Sequence, residues 1–232
     1  MDRSAVVDVI IPALNEEKSI SSVLRDIPKE VREVIVVDNG STDQTAENAR
    51  IAGATVLTEK QKGYGSACLK GINYLGEKPV EEIPDIVVFM DGDYSDYPEE
   101  LPYLIQPITE EGYDMVIGSR VRGERIPGSL TIPQIFGNWL ATTLIRWIYG
   151  EKFTDLGPFR AIRYEKLLQL DMQDRDFGWT VEMQVKAAKL KFRNRELPVK
   201  YRPRIGVSKV SGTVKGTVLA AHKILFTIFK LL

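Results

Sequence analysis

The chain has 232 residues, 44% hydrophobic and 27% charged, with 18 Gly and 12 Pro. That is the make-up of one large globular domain, and it excludes collagenous, disordered and disulfide-stapled chains. One cysteine, Cys68, and one histidine, His222, leave no internal disulfide and no four-ligand structural zinc site.

The net charge of −1 hides an asymmetry. Residues 1–118 hold 10 Lys and Arg against 23 Asp and Glu, and residues 119–232 hold 21 against 9. One half is suited to a cation and the other to an anion or anionic surface, unless two solvated faces simply neutralise each other. The N-terminus lacks a signal pattern and no stretch reaches about 18 uninterrupted apolar residues, which points to a cytoplasmic chain without a spanning helix.

The first half alternates strand and helix signals. Val6–Pro12 reads as an apolar strand, and Asn15-Glu16-Glu17 as a helix cap with acids in its first turn. Glu33–Asp38 is the next strand, and Ser41-Thr42-Asp43-Gln44 reads as a capping box for a helix ending near Ile51. Strands at Thr55–Thr58, Asp85–Met90 and Asp114–Gly118 alternate with helices at Gly63–Leu75 and Pro98–Ile108.

The second half is less regular. A loop over Arg120–Pro133 precedes a helix at Gln134–Tyr149, a strand at Gly157–Arg163 and a helix at Thr180–Leu190. A strand at Arg195–Arg202, a basic loop to Lys215 and a final helix from Thr217 to Leu232 complete the chain. This order predicts an α/β, Rossmann-like, mostly parallel sheet covered on both faces, over residues 1–212, with an amphipathic helix at 213–232.

Such sheets bind ligands at the carboxyl ends of their strands. Pro12 to Glu17, Asp38 to Asp43 and Asp91 to Asp96 each follow a strand directly. Asp91-Gly92-Asp93 can turn two carboxylates onto one hard cation, Mg²⁺ or Mn²⁺, because Gly92 lets the chain leave strict strand alternation. An acidic loop without a metal is the bland reading of the same residues. Asp38 can accept from a ribose hydroxyl or base edge, or simply close a capped turn. Lys62-Gly63-Tyr64-Gly65 offers backbone N–H groups and an ammonium to an anion. Cys68 replaces the third glycine of a dinucleotide fingerprint and no Walker A pattern occurs, so a dehydrogenase and a P-loop ATPase are disfavoured. The acidic half and apolar final helix likewise leave no continuous basic stripe for nucleic acid.

Taken in order, Pro12-Ala13-Leu14-Asn15-Glu16-Glu17, Val37-Asp38-Asn39-Gly40-Ser41-Thr42-Asp43, Lys62-Gly63-Tyr64-Gly65 and Asp91-Gly92-Asp93 resemble the motifs of family 2 glycosyltransferases of GT-A fold. Gly118-Ser119-Arg120, Asp155-Leu156-Gly157-Pro158-Phe159-Arg160 and Gly178-Trp179-Thr180-Val181-Glu182 extend the resemblance over nearly the whole chain, toward the dolichyl- and polyprenyl-phosphate sugar synthases. Those synthases usually read Thr-Ser-Gly-Phe-Arg where Leu156-Gly157-Pro158-Phe159-Arg160 stands. The resemblance implies inverting transfer of a hexose from a nucleoside diphosphate sugar. It places Pro12, Ala13, Asn15, Glu16, Glu17 and Asp38 on the nucleoside, Asp91 and Asp93 on the nucleotide and its divalent metal, and Arg120 on a phosphate.

Arg202, Arg204 and Lys209 are candidate cationic donors to the leaving diphosphate, or else a solvated basic loop. The spacing of Gly206 and Gly212 suits a loop that orders over substrate. An alcohol acceptor needs a general base, for which Asp155 and Glu182 are the candidates; a phosphate acceptor needs none. In the final helix Lys215, His222, Lys223, Thr227 and Lys230 fall in one arc of about 140° opposite a wide apolar face. That pattern fits either a membrane interface or packing on the domain, and the Trp139/Trp147 helix poses the same choice. The expectation is a polyprenyl-phosphate hexosyltransferase, peripheral at the inner membrane face. A soluble hydroxyl acceptor, a nucleotidyltransferase and a non-catalytic nucleotide-sugar sensor are the competing readings.

Overall fold

The computed structural model describes residues 5–206 and 214–232, without the side chains of 214–218 and 220. Its strands are β1 (Val7–Ala13), β2 (Glu33–Asp38), β3 (Thr55–Thr58), β4 (Ile86–Phe89), β5 (Met115–Ser119), β6 (Arg160–Arg163) and β7 (Asn194–Pro198). They form one sheet in the order β3-β2-β1-β4-β6-β5-β7. β1, β2, β3 and β4 pair in parallel, β5 pairs in parallel with β7, and β6 runs antiparallel to both β4 and β5.

Every residue of β1, β4 and β5 is buried, as expected for central strands covered on both sides. One cover comprises α1 (Ile20–Asp26), α2 (Thr45–Ile51) and α4 (Leu101–Glu110), whose Ile20, Val23, Ala49, Leu104 and Ile108 meet Val9, Ile11 and Val88. The other comprises α3 (Tyr64–Gly76), α5 (Ile132–Tyr149), α6 (Tyr164–Gln169) and α7 (Trp179–Lys189). On that side the Trp179 indole packs edge-on against Phe89 at 5.9 Å and 63°. Such aromatic pairs contribute about 0.5–1.5 kcal/mol beyond their burial.

Three local expectations are corrected. Asn15 does not cap a helix: its backbone sits at φ 54 and its Oδ1 accepts from Thr42 N at 2.8 Å. Ser41 does not open a capping box either, because its Oγ accepts from Asn15 N at 2.9 Å, and α2 starts only at Thr45. These side chains are spent on stitching the β1 loop to the β2 loop, a competition between local and long-range hydrogen bonds. The helix expected from Gln134 begins at Ile132, where Thr131 and Gln134 form a reciprocal capping box.

The final helix, α8 (Val214–Lys230), packs on α5 and α7. Ile228 is fully buried there, and the Tyr149 hydroxyl donates to its carbonyl. Thr227, placed by periodicity in the polar arc, is buried instead and faces Gly178. Lys223 pairs with Asp174 at 2.9 Å. Part of that arc therefore faces the protein, while Leu219, Phe226 and Phe229 are exposed. Lys209 and Gly212, and the side chain of Lys215, lie outside the described residues. Among the described residues no helix is long and apolar enough to cross a membrane.

Candidate active site

A cavity of about 390 Å³ opens at the carboxyl ends of β1, β2 and β4. Pro12, Ala13, Leu14 and Glu16 line it from the end of β1, Asn39 from β2, Lys62, Gly63 and Tyr64 from the start of α3, and Asp91-Gly92-Asp93 from β4. Arg204 and the pair Asp176-Phe177 complete it. A second hollow of about 770 Å³ beside α4 is lined by Pro28, Glu30, Leu101 and Tyr103 among others, with no Lys or Arg among the described residues.

The β4 loop concentrates carboxyl groups. Asp93 Oδ1 accepts from Ser95 N at 2.9 Å and from Ser95 Oγ at 2.6 Å. Asp91 Oδ1 and Asp96 Oδ1 are buried and accept no hydrogen bond among the described residues. Burial, and then the Asp93 charge, push the Asp91 carboxyl up to about 7. Arg204 and Arg120 act the other way, favouring its ionised form. Asp96 is raised well above the carboxylate range by burial and by the charges of Asp91 and Asp93. The arginines offset this only in part, so Asp91 and Asp96 hold their protons more tightly than free carboxyls do.

A strap from the C-terminal half is laid along this loop. Arg202 N donates to Ser95 O at 3.0 Å and Ile205 N to Asp93 O at 2.9 Å. The Arg202 guanidinium stacks on Tyr94 and Tyr97 at 3.4 and 4.1 Å from the ring centroids, and its Nε donates to Tyr94 O. Those contacts fix Arg202 against the loop, outside the cavity lining. Arg204 is thereby aimed inward, where it reaches Glu16 at 2.8 Å and Asp93 at 3.3 Å.

The other expected residues are placed as follows. Asp38 is buried, and its Oδ1 accepts from Ser41 N at 3.2 Å. Asn39 donates to Glu59 O and Gln61 O and accepts from Gly63 N at 2.8 Å, which ties the second strand's loop to the start of α3. Glu17 Oε2 accepts from Gln44 N at 3.2 Å. Asn15, Glu17 and Asp38 thus support the cavity wall and do not line it.

Arg120 and Asp155 form a buried bidentate pair, Nε and Nη2 donating to the carboxylate at 2.8 and 2.7 Å, with Arg120 N adding a third bond at 2.7 Å. The Arg120 guanidinium also lies 5.1 Å from the Tyr201 ring centroid. Glu182 accepts from Gln173 N at 3.0 Å and Asp174 N at 2.7 Å, and pairs with Lys186 at 2.8 Å. Both carboxylates considered as bases are therefore anchors of other groups.

Asp176, Phe177 and Asp96 were not singled out as site residues by sequence. The loop bearing the first two reaches the cavity because glycines let it approach α3. A Cβ on Gly63 or on Gly65 would stand 2.0 Å from the carbonyl oxygen of Arg175 or of Asp174. Ser66 N donates to Arg175 O at 2.9 Å across the same junction. The glycines, read from sequence as an anion cradle, also serve this close packing.

The sheet is mostly parallel with one reversed strand, carries helices on both faces and has its cavity at the carboxyl edge, which is the GT-A fold. The chain belongs to glycosyl transferase family 2, whose model matches residues 8–170. A glycosyltransferase of Mycobacterium tuberculosis, described as uncharacterized, is 38% identical over 217 residues, 92% of this chain and 94% of that protein. The undecaprenyl-phosphate mannosyltransferase of Micrococcus luteus is 32% identical over 224 residues, 89% and 88% of the two chains. Glucosyl-3-phosphoglycerate synthase of M. tuberculosis, solved with Mn²⁺, uridine diphosphate and phosphoglyceric acid, shares the fold at a TM-score of 0.76 and 23% identity, over 98% of this chain and 78% of that one.

Proposed function

We propose that this chain is an inverting, divalent-metal-dependent hexosyltransferase that moves a sugar from a nucleoside diphosphate to a polyprenyl phosphate at a membrane surface. The observation that carries the reading is the convergence of Asp91, Asp93, Lys62 and Arg204 on one cavity at the strand ends. The residues fit a hard divalent cation such as Mg²⁺ or Mn²⁺: the donors are carboxylate oxygens, and Asp91 Oδ1 is buried with no hydrogen-bond partner among the described residues. Among the described residues no group of three or more acidic, Cys or His side chains forms a cage. Two carboxylates completed by substrate phosphate oxygens are the usual arrangement for such ions. When bound, the cation neutralises charge on the departing diphosphate as a Lewis acid.

The chain's own groups do the remaining work. Pro12, Ala13, Leu14 and Asn39 enclose the nucleoside, with Asn15, Glu17 and Asp38 holding their loops. Lys62, the Gly63 and Gly92 backbone and Arg204 surround the diphosphate, and the guanidinium stabilises the charge that grows as the anomeric C–O bond breaks. Arg202 and Asp155 position Arg204 and Arg120, and Glu182 holds the loop that ends in Gly178. Lys209 is a further cationic candidate for the diphosphate.

A phosphate monoester acceptor arrives already anionic and needs no base, which agrees with Asp155 and Glu182 being committed elsewhere. The undecaprenyl-phosphate relative supports the same acceptor class. The exposed Phe136, Trp139, Trp147, Phe226 and Phe229 on α5 and α8 supply an apolar surface for a lipid interface. Labelled UDP-glucose and GDP-mannose, incubated with Mn²⁺ with and without polyprenyl phosphate, test the reading. Label passing into the lipid phase only with polyprenyl phosphate is expected. Transfer to a soluble hydroxyl acceptor alone would contradict it.

A further inference from the structure

We infer that Asp176, beside Phe177, is the donor-selectivity residue of this site and binds hydroxyl groups of the hexose; the inference rests on the donor reading above. Both residues line the cavity that holds Asp91 and Asp93. The loop that carries them is built from buried contacts. Glu182 accepts the Gln173 and Asp174 N–H groups. The Asp174 carboxylate accepts from Asp176 N at 2.8 Å and Gly178 N at 3.1 Å, and Lys223 of α8 neutralises it at 2.9 Å. Arg175 O is fixed by Ser66.

The Asp174 and Glu182 carboxylates are thus committed to the loop, whereas no described side chain hydrogen-bonds or ion-pairs with the Asp176 carboxylate itself. A carboxylate with no side-chain partner in this cavity repels a diphosphate, which Lys62 and Arg204 serve instead. It accepts from hydroxyl groups, two oxygens spanning two neighbouring O–H donors. Phe177 offers the apolar surface on which the C–H face of a pyranose packs.

Position separates the hexose from the nucleoside. Pro12, Ala13, Leu14 and Asn39 come from the ends of β1 and β2. The loop of Asp176 instead leads into Trp179, which packs on Phe89 at the end of β4, two residues before Asp91. A donor lying with its nucleoside over β1 and β2 and its diphosphate at Asp91 and Asp93 brings its sugar to this loop.

Calorimetric titration of the full chain with Mn²⁺ tests this, using UDP, UDP-glucose, GDP and GDP-mannose on wild type and Asp176→Asn. The readout is the ratio of dissociation constants between each sugar nucleotide and its parent diphosphate. Asp176→Asn shifts that ratio against the sugar nucleotide by about tenfold, the worth of one hydrogen bond to a charged group, and leaves diphosphate affinity unchanged, which also reports an intact cavity. An unchanged ratio overturns the inference, as does equal weakening of both forms, the mark of a nucleoside contact. Unchanged affinities with lost turnover and a lost limb of the pH–rate profile overturn it in favour of a general base. A wild type that binds no nucleoside diphosphate overturns the donor reading itself and this inference with it.

Discussion

The Arg204 guanidinium stands 3.3 Å from the Asp93 carboxylate, held there because Arg202 and Ile205 are hydrogen-bonded along the β4 loop. A residue more than a hundred positions away in sequence thus becomes part of the aspartate cluster. Arg204 pairs with both Glu16 and Asp93; on the proposed reading Asp93 would help hold the divalent ion and Arg204 would serve the diphosphate. Arg204→Ala lowers kcat by about a hundredfold, the usual loss on removing one donor to a developing anion, as read by steady-state assay. An unchanged kcat contradicts this role.

The raised pKa of Asp91, about 7, gives a signed pH dependence. The folded carboxyl binds its proton more tightly than the unfolded one, so stability falls as pH rises from about 4 to about 7 and levels off above. Metal must displace that proton. Mn²⁺-dependent UDP or GDP affinity therefore rises by up to tenfold per pH unit to about pH 7 and then flattens, measured by titration across that range. Asp91→Asn removes the cost of the buried charge, so the metal-free variant melts above wild type at pH 8 (about one unit past the folded pKa).

Asp155→Asn leaves the Arg120 guanidinium buried with a neutral partner. Breaking such a pair costs about 3–5 kcal/mol, visible in urea unfolding. Asp155 anchors Arg120, and on the proposed reading it takes no proton from the acceptor, so the residual activity keeps the wild-type pH profile. A profile that loses its basic limb would assign Asp155 the base role instead.

Gly65→Ala places a methyl group 2.0 Å from Asp174 O. The loop of Asp176 and Phe177 must move away from α3, costing about 1–3 kcal/mol and weakening sugar nucleotides more than parent diphosphates. Gly40→Ala meets nothing within 4 Å and strains only its own turn at φ 86, so it leaves that preference unchanged. Thermal melts and the nucleotide titrations above check both.

The sheet was legible from Val6 to Gly118 because continuous apolar runs, each followed by polar loop residues, mark buried parallel strands. The antiparallel direction of β6 was not, since Ala161 and Ile162 look alike whichever way the chain runs. Neither was α6, a helix of six residues whose polar positions resemble a turn. Asp91 and Asp93 were legible because they sit at a strand end with a glycine between them. Asp155 and Glu182 invited a base reading because spacing shows a carboxylate but not its partner, and Arg120 and the Gln173 backbone are brought to them only by the fold. Asp176 carried no motif; its place depends on how closely two glycines let distant backbone approach.

Electron paramagnetic resonance of Mn²⁺ in the presence of UDP or GDP, comparing wild type with Asp93→Asn, addresses the aspartate pair most directly. Wild type should bind the ion together with the nucleotide, while the variant, equally folded by circular dichroism, should lose nucleotide-dependent Mn²⁺ binding and hexose transfer together. Mn²⁺ bound just as tightly by Asp93→Asn, with transfer intact, would contradict a metal held at the end of β4.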